Sequence, residues 1–366
     1  MEKAVLFAIN NIGGLYNFRK ELVQACVREK VKVYISSPLK EGVWKSFFED
    51  IGCKLIDTSI DTRGTNPLKD ILLSFKYFYI IKKIKPDVVL TYTVKPNIYA
   101  GLICRMLKIR QLANITGLGD AVEAKGILSN FVVFLYRLAL SNNEVVFFQN
   151  SSNLKFCVNN KIAKGRTHLL PGSGVNLSYF KYELYPISDV LKFGTVGRIT
   201  KQKGADELLK AVKTLKSKYF NKIEFHILGF CDSEFADEVS LMDKTGMLKF
   251  HGSSTDIRPF VKDIHCLIHP SYHEGMSNVC LECSAMGRPV ITTNVPGCKE
   301  TVEEAHTGFL INPGDVNSLV AAVEKFINLT NDERVNMGVA ARKKMEKEFD
   351  RQIVVEAYMK EINAND

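Results

Sequence analysis

The 366-residue chain has no run of 18 or more uncharged apolar residues, so no segment reads as a membrane-spanning helix. Near its start, residues 5–9 are an apolar run of only five before two asparagines. That is too short for the apolar core of a secretory signal and reads as a first β-strand. No D-x-D tripeptide occurs, which argues against an obligatory Mg²⁺ or Mn²⁺. Cys280 and Cys283 form a C-x2-C with no second pair at zinc spacing, so they read as packing residues. The nine cysteines are odd in number and scattered from Cys26 to Cys298, as expected of reduced thiols in a cytoplasmic protein. No nucleic-acid module is recognisable, and the aromatics sit mostly inside apolar runs, so nucleic acid is not an expected partner. A content of 46% hydrophobic and 24% charged residues excludes a disordered chain and a small disulfide scaffold.

What is present is an uneven charge. Residues 1–180 hold 25 Lys and Arg against 13 Asp and Glu, a balance of +12, while residues 181–366 hold 24 against 27, or −3. A basic half beside a neutral half suggests that the first faces something anionic.

Strand and helix patterns alternate along the chain. Apolar runs at 5–9, 31–36, 54–57 and 87–92 alternate with helical spacings at 17–30, 43–51 and 68–84. Most of these runs are continuous rather than alternating, as in parallel strands covered on both faces. Residues 181–190, which carry Pro186, break the rhythm and read as a linker. The rhythm restarts with strands expected at 191–196, 223–228, 248–251, 266–269, 289–292 and 308–311, and helices between them. The expected fold is α/β: two Rossmann-like doubly wound domains, 1–180 and 191–348, facing across a cleft. A last helix over 349–366 would cross back to the first domain.

Three loops carry the chemistry. In 270–287, PSYHEGMSNVCLECSAMG, a loop with Glu274 and Gly275 leads into a helix near Ser277. The first amides of that helix, from Met276 through Ser277 to Asn278, would form an anion site. Glu274 and Glu282 flank it, and carboxylates suit sugar hydroxyls, so the ligand combines phosphate with sugar. In 196–204, VGRITKQKG, Arg198 and Lys203 at a strand's carboxyl end suit a diphosphate. In 10–19, Gly13 and Gly14 between a strand and a helix are half of a phosphate fingerprint, or only a tight turn.

Glu274 and Glu282 match the E-x7-E motif of the retaining glycosyltransferases of family 4, which have the GT-B fold. VGRITKQKG resembles that family's R-x4-K-G loop, and TGFLINPGD at 307–315 its late strand and turn. TYTVKPN (91–97) and NITGLGDA (114–121) resemble enzymes of O-antigen, capsule or lipid-linked oligosaccharide assembly. The resemblance implies a nucleotide-sugar donor, expected to be UDP-linked, and a glycan or polyprenyl-diphosphate-linked glycan acceptor. It implies that Glu282 holds the ribose, and that Glu274 with the amides of 276–278 holds the donor sugar and β-phosphate. Arg198 and Lys203 would neutralise the leaving diphosphate, and Gly13 and Gly14 would close over it. Gly229 and the segment 252–256, with Ser254, would edge the base pocket. Tyr16, Asn17, Lys95, Asn97, Thr116 and Gly117 would meet the acceptor. Many members have a histidine after the strand near Val94; this chain has none, and Lys95 or Asn97 would serve there. No protein nucleophile and no cofactor are implied.

His265, His269 and His273 are four apart, a metal ladder on a helix, but they run through a strand and a loop and read as core and cleft-edge residues. Residues 127–140 form an unusually apolar helix, either buried or lipid-facing. Residues 72–85 mix aromatics with lysines and suit an anionic membrane surface at the inner face of the cell membrane. Two other readings of the architecture are a nucleotide-sugar 2-epimerase and a non-catalytic nucleotide-sugar sensor.

Overall fold

The computed structural model describes residues 2–39, 42–61, 64, 66–118, 126–141, 143 and 145–364. Residues 119–121 of the NITGLGDA segment lie outside them. The chain forms two compact units, Met1–Ser173 with Gln352–Asp366, and Gly174–Arg351.

The first unit is built on strands β1 (Ala4–Ala8), β2 (Lys32–Ser37), β3 (Lys54–Asp57), β4 (Val88–Tyr92), β5 (Arg110–Ile115), β6 (Val145–Phe148) and β7 (Arg166–Leu169). They pair in parallel in the order β3-β2-β1-β4-β5-β6-β7. Helices α1 (Ile12–Arg28), α2 (Val43–Asp50), α3 (Pro67–Ile84), α4 (Gly101–Leu107), α5 (Ile127–Leu140) and α6 (Ser151–Asn159) connect them. Central strands such as VVLTY and VVFF are buried at every position, which is why they carry no polar alternation.

The second unit has strands β8 (Leu191–Val196), β9 (Ile223–Leu228), β10 (Lys249–Phe250), β11 (Cys266–His269), β12 (Val290–Thr293) and β13 (Gly308–Ile311). Their order is β10-β9-β8-β11-β12-β13, again all parallel. Its helices are α7 (Ala205–Tyr219), α8 (Ser233–Lys244), α9 (Arg258–Asp263), α10 (Asn278–Ala285), α11 (Val316–Asn328) and α12 (Asn331–Glu348). In both sheets the strand order reverses at the first strand, and ligands of such sheets bind beyond the carboxyl ends of the strands there.

The unit boundary lies earlier than the linker expected at 181–190. Val175 bridges to Asp350, and Phe180 enters the second core. The fully buried Arg288 donates to the carbonyls of Glu183 (2.9 Å) and Leu184 (3.0 Å). A buried guanidinium needs all its donors satisfied, and the strap supplies two acceptors, so 174–190 belong to the second unit. The final helix, α13 (Arg351–Asn363), packs into the first unit. Asn114 Nδ2 donates to Tyr358 Oη at 2.6 Å, and Arg166 forks onto the buried Glu361 at 3.0 Å through both nitrogens.

Candidate active site

The site of the second unit gathers at the carboxyl ends of β8 and β11. Strand β11 ends at His269, and the chain then turns through Glu274 to α10. His269 Nε2 lies 3.0 Å from Glu274 Oε1, and Lys203 Nζ donates to the same oxygen. Burial would raise the Glu274 carboxyl, but the His269 hydrogen bond and charge, with the Lys203 charge, hold it down at about 2. Burial would likewise lower His269, but its hydrogen bonds to Cys298 and Glu274 raise it to about 9. The carboxylate is therefore ionised and the imidazole protonated near neutral pH.

Lys203 is placed by its loop. Gly204 has φ +72°, and a Cβ there would stand 2.2 Å from the Pro270 carbonyl oxygen. Only glycine lets the 198–204 loop press so closely on the end of β11. Tyr272 N donates to Gln202 O at 3.0 Å, tying the two loops together. Arg198 stands exposed beside this cluster in sequence and makes no ion pair among the described residues. Two cations, Lys203 and His269, thus share the one Glu274 carboxylate, and Arg198 lies five positions before Lys203 on the same loop. Such a set has positive charge left over for an anion.

The loop into α10 rests on a turn that follows β12. Gly297 has φ +84°, and a Cβ there would lie 2.4 Å from Glu274 O. Ser277 N donates to Gly297 O at 2.7 Å, and Ser277 Oγ caps Cys280 N. The expected amide cradle is corrected in this respect: Ser277 is committed to the fold. Among the described residues, the amides of Met276 and Asn278 have no acceptor, and the buried Asn278 Oδ1 has no partner. One helical turn on, Glu282 has no side-chain hydrogen bond among the described residues. Its desolvated carboxyl is pushed up to about 7, against the pull of Arg351.

Comparisons with known proteins match both units of the chain. The family described as "Glycosyl transferases group 1" matches residues 186–344, and "Glycosyl transferase 4-like" matches residues 6–150. The chain belongs to these glycosyltransferases. The capsular polysaccharide biosynthesis glycosyltransferase CapM of Staphylococcus aureus is 28% identical over 306 residues, 78% of this chain and 79% of that one. The N,N'-diacetylbacillosaminyl-diphospho-undecaprenol alpha-1,3-N-acetylgalactosaminyltransferase of Campylobacter jejuni is 23% identical over 365 residues, 94% of each chain. Anabaena HepE, solved in complex with UDP and glucose, superposes with a TM-score of 0.77 at 16% identity, over 99% of this chain and 100% of that one. The two parallel-sheet units and these likenesses give the glycosyltransferase the GT-B fold.

Other residues singled out in the glycosyltransferase sequence have structural duties. Gly13 and Gly14 lie inside the first turn of α1, which starts at Ile12 rather than near Asn17. Asn11 Oδ1 already accepts from both of their amides, at 2.8 and 3.2 Å, so these N–H groups are capped rather than open to a phosphate. A Cβ on Gly13 would stand 2.6 Å from the Trp44 ring, which explains the glycine. Gly229 has φ +157°, and a Cβ there would meet Gly197 O at 1.7 Å, so β8 and β9 require it as they leave the sheet. Ser254 Oγ closes its own turn by donating to Asp256 O at 2.8 Å.

The acceptor residues expected in the first unit divide in the same way. Lys95 is held by Asp70 at 2.6 Å, and Tyr99 Oη donates to the same carboxylate, so Lys95 is not a spare cation. Asn97 is fully buried: it accepts from Thr91 Oγ1 at 2.7 Å and donates to Asn114 O at 2.8 Å. It locks β4 to β5 and has no face for an acceptor. Neither replaces the histidine missing near Val94. Tyr16 packs edge-on against Phe47, with ring centroids 5.0 Å apart, while Asn17 is exposed on α1. Thr116 and Gly117 follow β5 and are half-buried, with open space where a Gly117 Cβ would be.

Two residues that shape this cluster, His269 and Gly297, have no site role in the sequence reading. A histidine ending a buried strand looks like a core residue, and only the glutamate five positions on hints at a pair. Gly297 sits in a Pro-Gly turn after a strand, a visible turn signal, but its target is a loop some twenty residues earlier. Among the described residues no three His, Cys, Asp or Glu side chains gather as a metal site, and His265 instead accepts from Lys192 N at 3.0 Å.

Proposed function

We propose that this glycosyltransferase moves a hexose or N-acetylhexosamine, with retention, from a UDP-sugar to a glycan on a polyprenyl diphosphate, in surface polysaccharide assembly. The observation that carries the reading is the pairing of Lys203 and His269 with Glu274, with Arg198 on the same loop as Lys203 and the amides of Met276 and Asn278 at the start of α10. The cations and amides hold the diphosphate, and Glu274 positions the donor sugar. Glu282, with no side-chain hydrogen bond among the described residues, accepts the ribose hydroxyls. The name of the Campylobacter enzyme supports the acceptor class, that of CapM supports polysaccharide assembly, and the UDP and glucose bound by HepE support the donor.

The bond between the anomeric carbon and the diphosphate breaks as the acceptor oxygen arrives on the same face. The leaving diphosphate keeps the bonding electrons and takes the acceptor's proton, so no protein nucleophile is needed. Charge develops on the departing oxygen, where Lys203, held in place by Glu274, and Arg198 from the same loop meet it, and donors at that position lower the barrier. These cations do the work a divalent ion would otherwise do, so the reaction needs no metal.

The test is turnover of UDP-sugars with a polyprenyl-diphosphate glycan in EDTA, with the product's anomeric configuration read by NMR. An α-linked product from an α-linked donor is expected. An inverted product, or interconversion of free UDP-sugars without acceptor, would overturn the reading.

A further inference from the structure

Helices α3, α4 and α5 pack on one face of the first unit's sheet. Each of α3 and α5 buries one stripe: Leu73, Tyr77 and Ile81 on α3, Val133, Tyr136 and Leu140 on α5. Each also carries a second apolar stripe pointing outward. On α3 it runs Leu68, Leu72, Phe75, Tyr79, with Phe75 67% and Tyr79 65% exposed. On α5 it runs Ile127, Phe131, Phe134, Leu138, with Phe131 55% and Phe134 50% exposed. Met106 of α4 is exposed between them in the layer. Spacings of three and four place each set on one helical face, so these are continuous stripes rather than scattered residues. An exposed apolar surface of this extent marks a docking face.

Basic side chains flank the stripes. Lys76, Lys82 and Lys83 are exposed on α3, and Arg137 on α5. Lys82 Nζ stands 5.3 Å from the centre of the Phe78 ring and Lys83 Nζ 5.8 Å from that of Tyr79, so their stems run along aromatic surface and end in a cation. Of the acids nearby, Asp70 is paired with Lys95 and Asp61 with Lys69, while Asp57 accepts from Leu39 N. Beside α3 a groove of about 860 Å³ opens, lined by Leu72, Phe75 and Tyr79 and also by Asp57, Asp61 and Asp70.

We infer that the α3–α4–α5 face lies on an anionic phospholipid bilayer. Phe75, Tyr79, Phe131 and Phe134 enter the boundary between headgroups and acyl chains, and Lys76, Lys82 and Lys83 meet lipid phosphates. The apolar stripes flanked by cations on long stems fit a membrane interface, where one side is apolar and the rim carries negative charge. The inference stands apart from the sugar-transfer reading and needs no substrate.

The test is flotation of the full chain with vesicles of phosphatidylcholine alone and of phosphatidylcholine with phosphatidylglycerol. Binding to the mixed vesicles is expected, weaker by about tenfold or more on neutral ones and at high salt. Phe75→Ser with Phe134→Ser should lower the partition coefficient about tenfold or more on both. Lys82→Glu with Lys83→Glu should lower it on mixed vesicles only. Both pairs are exposed, so wild-type melting and nucleotide binding should persist. Absence of flotation at low salt, or flotation indifferent to both pairs, would overturn the inference. A dimer in solution that the phenylalanine pair abolishes, without lipid binding, would overturn it in favour of a second copy.

Discussion

His269 Nε2 and Glu274 Oε1 stand 3.0 Å apart, joining the end of a buried strand to the loop that enters α10. The pair turns a strand-end histidine into a fixed positive charge, because Glu274 and Cys298 raise it to about 9 against the cost of burial. It also gives the account its pH behaviour. The Glu274 carboxyl is depressed to about 2 from an ordinary 4.5, so its stabilisation is present above 4.5 and fades as pH falls toward 2. The His269 value is raised from an ordinary 6.5, so its stabilisation is full below 6.5 and is lost as pH rises through about 9. Transferase activity should fall on the alkaline side with an apparent pKa near 9, and His269→Gln should remove that limb. A pH–rate profile of both proteins checks it.

Arg198 is exposed and makes no ion pair among the described residues. Arg198→Ala should therefore leave the melting temperature unchanged while lowering kcat by roughly 100-fold or more, the effect of losing one donor at a developing oxyanion. Lys203→Ala should cost as much in rate and also destabilise, because it strips Glu274 of a cation. Steady-state kinetics beside thermal melts separate the two.

Glu282 sits desolvated, with its carboxyl raised to about 7. Its stabilising neutral form is fully populated below 4.5 and is lost as pH rises through 7, so ionisation weakens the empty protein. A ribose hydroxyl that donates to the ionised carboxylate offsets that cost. UDP affinity should thus rise as pH climbs through about 7, and Glu282→Gln should flatten the dependence. Calorimetric titration across that range decides it, and a flat wild-type curve would count against the assignment.

Asn97 bonds Thr91 and the Asn114 carbonyl inside the sheet, and Gln111 Nε2 donates to its carbonyl at 3.2 Å. Asn97→Ala should leave buried polar groups unpaired and cost about 1–3 kcal/mol of stability. The KM for acceptor should hardly move, which a direct acceptor contact would not allow. Denaturant unfolding and acceptor kinetics on one variant test both halves.

Much of this architecture is legible in the chain. Short continuous apolar runs such as VVLTY, following a proline turn signal, read as strands covered on both faces and so as a parallel sheet. Glu274, Glu282, Arg198 and Lys203 stand out because the local pattern, strand then charged loop then helix, already implies where they point. Residues whose duty depends on distant partners do not stand out. Lys95 looks like a free cation until Asp70, 25 positions away, is placed beside it. The boundary at 181–190 looked plausible from Pro186, yet Arg288, more than a hundred positions later, pins that strap to the second unit. The start of α1 was obscured by Gly13 and Gly14, although Asn11 before them is a cap signal.

The most direct measurement is UDP binding by thermal shift in EDTA, on the wild type and on Arg198→Ala, Lys203→Ala and Glu274→Gln. The account predicts a clear upward shift for the wild type without metal, largely lost in the two cation variants. A wild type that ignores UDP, or that binds it only when Mg²⁺ is restored, would contradict the diphosphate site built around Glu274.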